Sequence, residues 1–127
     1  MSRLLCVNPT LRARDVLALA HWYRDQLGFE VNFLWQDPPT HAVIGRDEIR
    51  VGIAPRDTNF GPASFYQHVE GIDALHAEFL ARGVPLSGPP TITPYQMKEF
   101  EVHDPDGNRI CFGERAEASL NGKASSD

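Results

Sequence analysis

The chain has 127 residues, enough for one domain that buries roughly two-thirds of its unfolded surface. Its 42% apolar and 23% charged residues exclude a disordered protein. A net charge of -5 with scattered Lys and Arg excludes a basic patch for nucleic acid or an anionic membrane. No stretch approaches the ~20 apolar residues of a membrane span, and the opening MSRLLCVNPT turns polar too soon for a secretory leader. The two cysteines, Cys6 and Cys111, have no CxxC spacing and read as free, buried thiols suited to a reducing cytoplasm, the expected location.

In chain order, Leu4 to Leu11 reads as a first strand. Asp15 then opens an amphipathic stretch as N-cap, its carboxylate accepting from free amides of the first turn. Val16, Leu19, Ala20, Tyr23 and Leu27 share one helical face. Gly28 supplies the left-handed stop. Phe29, Val31, Phe33 and Trp35 alternate as a strand, with Phe33 expected in the core. A hairpin pairs Ala42–Ile44 with Ile49–Ile53 across Gly45-Arg46-Asp47. Residues 57–62, rich in Gly, Pro and Asn, read as a linker.

The order then repeats. Ser64 to Val69 is a strand and Asp73 the expected cap of a second helix. Leu75, Phe79 and Leu80 form its stripe, Gly83 its stop, and Val84 to Leu86 lead away. A second hairpin pairs Met97–Val102 with Arg109–Phe112 across Asp104-Pro105-Asp106-Gly107-Asn108, a turn favoured by its Pro and Gly. The repeated order points to an α+β fold of two β-α-β-β-β modules. Residues 1–113 form the domain, with modules at about 4–56 and 62–113, and residues 114–127 a flexible tail.

Arg14-Asp15-Val16, Trp22-Tyr23 and Leu27-Gly28-Phe29-Glu30-Val31 resemble the vicinal-oxygen-chelate proteins. So do His68-Val69-Glu70-Gly71-Ile72-Asp73, Gly83-Val84 and Glu99-Phe100 followed by Asp104-Pro105-Asp106-Gly107-Asn108. This is the glyoxalase/bleomycin resistance/dioxygenase group, and the resemblance implies an α+β fold whose two β-α-β-β-β modules have curled mixed sheets forming a concave ligand cavity. The resemblance implies a metal held by His, Gln or Glu in its enzymes, at positions that fall here on Asn8, Ser64 and Cys111. Asn, Ser and a lone Cys make a poor donor set for a divalent cation. The chain therefore looks closer to the bleomycin-resistance branch, with no metal and no cofactor expected.

Strand alternation assigns the remaining candidates. Ser64, Tyr66 and His68, Glu99 and Glu101, and Arg109 and Cys111 are expected on the cavity side, with Asn8 and Thr10 from the first strand. Trp35 and Tyr95, near strand ends, are placed to stack on a planar ligand. The ligand-binding set is thus Asn8, Trp35, Ser64, Tyr66, His68, Tyr95, Glu99, Glu101 and Cys111. His21 and His76 are expected on the surface. Two functions stay open. One is a metal-free binder sequestering an antibiotic or other bulky cationic ligand. The other is a lyase, isomerase or dioxygenase-type enzyme using a divalent metal or a His68/Glu101 acid–base pair. A homodimer is expected, because exposed sheet edges tend to be paired or covered.

Overall fold

The computed structural model describes residues 1–116. The elements are β1 (Thr10–Ala13), α1 (Val16–Leu27), β2 (Glu30–Trp35), β3 (His41–Arg46), β4 (Ile49–Pro55), β5 (Ser64–His68), α2 (Ile72–Ala81), β6 (Thr91–Ile92), β7 (Met97–His103) and β8 (Arg109–Arg115). They form two four-stranded mixed sheets, ordered β1-β4-β3-β2 and β5-β8-β7-β6. In each sheet the strand before the helix runs parallel to the last strand and the rest is antiparallel, so the β-α-β-β-β order occurs twice. The chain divides into two compact units. One is Met1–Ala63 with Pro105–Asn108, and the other is Ser64–Asp104 with the chain from Arg109 onward.

In the first unit α1 forms as its sequence dictates. The Asp15 carboxylate accepts from the Ala18 amide at 3.0 Å, and Gly28 closes the helix at φ 74°. The buried face is Val16, Leu19, Ala20, Tyr23 and Leu27, packed beside Leu11, Ile44, Val51 and Ile53. The first strand is shorter than expected. Residues 1–9 lie outside it, Leu4, Leu5 and Val7 are exposed, and for the same reason Cys6 is exposed rather than buried. A register shift between Val31 and Phe33 changes the phase of β2, so Val31 pairs with buried Ile44 while Phe33 pairs with Val43. Phe33 is therefore 53% exposed rather than core. Gly45 belongs to β3, and the tight turn falls on Asp47, at φ 52°. Asp tolerates that conformation.

Pro105–Asn108, the turn after β7, belongs to this first unit. Asn108 has no exposed surface. Its Oδ1 accepts from the Arg12 and Ala63 amides at 3.1 and 2.8 Å, and its Nδ2 donates to the Arg12 carbonyl at 2.9 Å. Asp106 accepts from the Arg14 amide and Nε at 3.0 and 2.9 Å. Gly107 takes φ 85°, as the turn requires.

In the second unit Phe79 of α2 packs edge-on against Phe100 and Phe112, which stack on each other. Asp73 is not the cap. It lies inside the helix and pairs with Lys98 at 2.9 Å. The N-cap is Gly71, and the side chain that serves the helix start is Glu114. Its carboxylate accepts from the Gly71 and Ile72 amides at 3.1 and 3.0 Å. Leu80 is exposed and Ile72 takes its expected place in the core. His76 is half-buried against the Phe100 ring, with Nε2 donating to the Gly88 carbonyl at 2.8 Å. Gly83 has the left-handed φ of 84° expected of a stop. The strand expected soon after it comes later, as the two residues of β6, because Pro85, Pro89 and Pro90 interrupt the segment. Glu114 and Arg115 are the end of β8 rather than tail. Residues 117–127 of the expected tail lie outside the described residues.

Candidate functional site

The second sheet has one apolar and one polar face. Phe100, Val102, Ile110 and Phe112 are buried on the α2 side. Their alternate neighbours Ser64, Tyr66, His68, Glu99, Glu101, Arg109 and Cys111 share the opposite face, as period-two alternation requires. The register sets Tyr66 and Glu101 on either side of Cys111, and His68 and Glu99 on either side of Gly113.

Glu99 is the centre of this face. Its Oε2 accepts from the hydroxyls of Tyr66 at 2.8 Å and Tyr95 at 2.9 Å. Burial, then the Glu99 hydrogen bond and charge, hold the Tyr66 phenol above the usual tyrosine range. Burial and the Glu99 charge push the Cys111 thiol up to about 11, so it keeps its proton at neutral pH. The Tyr66 ring also packs on His68, with centroids 5.0 Å apart.

Glu101 is balanced differently. Arg109 Nη1 and His103 Nε2 each stand 3.4 Å from it. Arg109 also donates to the Ser64 hydroxyl from Nε and Nη2, at 3.2 and 3.1 Å. The His68/Glu101 pair is not formed, because His68 packs on Tyr66 while Glu101 faces Arg109 and His103.

Of the nine sequence candidates, seven stand in the second unit: Ser64, Tyr66, His68, Tyr95, Glu99, Glu101 and Cys111. The other two, Asn8 and Trp35, belong to the first. Asn8 is exposed, and its amide, oriented with the nitrogen toward the backbone oxygens of Val7 and Arg50, is a neutral donor there. Trp35 is 50% exposed and meets the His41 ring edge-on. Two further residues contribute. Arg109, expected on this face but left out of the ligand-binding set, is the cation that balances Glu101, and Gly113, which was not singled out from sequence, lies under the Tyr66 ring. A glycine inside a strand marks close approach by another group, and that signal was present at Gly113.

The three positions that the resemblance links to a metal do not fit one. The Ser64 hydroxyl already receives a guanidinium, the Cys111 thiol holds its proton, and Asn8 offers a neutral amide. Among the described residues no group of three His, Cys, Asp or Glu side chains is placed to hold a metal ion.

Residues 6–112 match the family profile of the Glyoxalase/Bleomycin resistance protein/Dioxygenase superfamily. The chain belongs to this superfamily. Superfamily members of known structure share the fold. A bleomycin-binding protein from bleomycin-producing Streptomyces verticillus, complexed with copper(II)-bleomycin, is 31% identical with a TM-score of 0.74. That match covers 88% of this chain and 97% of the other. A second bleomycin-binding protein, complexed with bleomycin, is 17% identical over 87% of this chain and 98% of its own, with a TM-score of 0.73. A superfamily member from Nocardioides is 14% identical over 98% and 92%, with a TM-score of 0.71. The latter two likenesses are of fold. No curated protein matches the chain. Among the described residues no helix is long and apolar enough to cross a membrane.

Proposed function

We propose that this superfamily member binds and sequesters a bulky, flat, cationic small molecule without breaking a bond in it. Residues 1–113 would act as one domain, and the working form would be a homodimer in the cytoplasm. The observation that carries the reading is the polar face of the second sheet. There a carboxylate held by two phenols stands among aromatic rings, with donors that do not fit a metal. A negative charge bordered by aromatic faces suits a planar cation. The 31% identity to a protein that holds copper(II)-bleomycin supports the ligand class.

The test is thermal unfolding with bleomycin, metal-free and copper-loaded. A ligand that binds only the native state at 100 times its Kd adds ~2.7 kcal/mol. For a domain of this size that raises Tm by roughly 10 °C. No shift with either form, and none across a library of planar cations, would sink the proposal.

A further inference from the structure

The two glutamates on the polar face are not equivalent. Glu101 has Arg109 and His103 beside it at 3.4 Å. Among the described residues, no Lys, Arg or His lies within 4.0 Å of Glu99. Its hydrogen bonds come from the neutral Tyr66 and Tyr95 hydroxyls. Neutral donors orient a carboxylate and leave its charge uncancelled, whereas a guanidinium cancels it. Both phenols use Oε2, so Oε1 takes neither of them.

Tyr66 reaches Glu99 by lying across β8. It starts on β5, which pairs with β8, and Glu99 is on β7 at the far side. Gly113 of β8, opposite Glu99, is where the ring passes. A Cβ at 113 would overlap the Tyr66 hydroxyl and come within 2.5 Å of Cζ. The Gly113 backbone is not left-handed, so glycine is required here for the room and not for the φ angle.

We infer that Glu99 is the receptor for the nitrogen-bound cation of the ligand, an ammonium, amidinium or guanidinium, and that Gly113 is a specificity-determining residue that keeps this receptor formed by letting Tyr66 cross β8. The inference rests on the ligand-binding reading above. It assigns the cation to one glutamate and adds a residue that touches no ligand.

Calorimetric titration with bleomycin and with benzamidinium tests it on wild type, E99Q, E101Q, G113A, Y66A and the Y66A/G113A double variant. Melting of each unliganded variant shows that it is folded. E99Q and G113A are expected to weaken binding at least tenfold, and E101Q less than threefold, because its charge is already balanced. If Gly113 acts through Tyr66, G113A is expected to cost nothing further in the Y66A background. Wild-type affinity in E99Q, or a larger loss in E101Q than in E99Q, would overturn the receptor assignment while leaving the ligand-binding reading standing. A G113A loss that persists in full with Tyr66 removed would overturn the role of Gly113. Failure of wild type to bind either probe would overturn both readings, so the two failures are distinguishable.

Discussion

Asn108 has no exposed surface and every polar atom of its amide is used, with two backbone donors on Oδ1 and a carbonyl on Nδ2. Removing it leaves part-buried backbone groups of Arg12 and Ala63 without this partner, at up to ~1–3 kcal/mol for each unsatisfied group. Asn108→Ala should therefore lower stability by about 2–4 kcal/mol in urea unfolding. Asn108→Asp should do little better, because it loses the donor and buries a charge. Cys111 makes a second residue-scale prediction. Its thiol titrates near 11 in the folded chain, against about 8.5 for a free thiol. Between those values the unfolded chain releases a proton that the folded chain keeps. Stability then falls as pH rises through that window. The urea midpoint should drop between pH 9 and 10.5, and Cys111→Ala should flatten the drop. At pH 8, iodoacetamide should label exposed Cys6 before Cys111, as peptide mass mapping would read.

The two helices differ in how far their own segments specify them. Every signal for α1 is local: Asp15 caps it, Gly28 ends it, and its five spaced apolar residues are the ones buried. The start of α2 relies on Glu114, 42 residues away from Ile72, which a single-sequence reading does not reach and which made nearby Asp73 look like the cap. Glu114→Ala should lower stability by about 1–2 kcal/mol, and Glu114→Gln by less, because the amide oxygen still accepts. Equal losses in denaturant titration would show that the acceptor is not what matters. β2 shows the same division. The alternation of Phe29, Val31, Phe33 and Trp35 is genuine, but the register shift before Phe33 reverses the phase, and periodicity carries no sign of a bulge. On the candidate site, the alternation of β5, β7 and β8 placed Tyr66, Glu99, Glu101 and Cys111 on one face. The sequence did not separate a balanced glutamate from an unbalanced one, because Arg109 and Tyr66 choose their partners across strands.

For the whole molecule, the repeat of cap, stripe, glycine and hairpin made the doubled β-α-β-β-β order legible, since each signal recurs in the same sequence. The proposed pairing of two copies would draw on apolar side chains that only the structure shows to be exposed. Leu4, Leu5 and Val7 are 99%, 81% and 88% exposed, ahead of the edge strand β1, and Phe33 and Trp35 are about half exposed on the edge strand β2. Fully burying one such side chain is worth ~1.5–3 kcal/mol, so covering these side chains on a second copy is a driving force for pairing. An isologous contact would use each patch twice, once per copy. Sedimentation velocity at micromolar concentration should therefore show a dimer. Leu4→Ser, Leu5→Ser and Val7→Ser combined should shift it to monomer. The monomer should keep its helical circular dichroism, because residues 1–9 form no strand and Leu4, Leu5 and Val7 are outside the core. A wild-type chain that sediments as a monomer would remove the dimer from the proposal. A triple variant that stays dimeric would move the contact elsewhere, with the apolar edge at Phe33 and Trp35 the next segment to change.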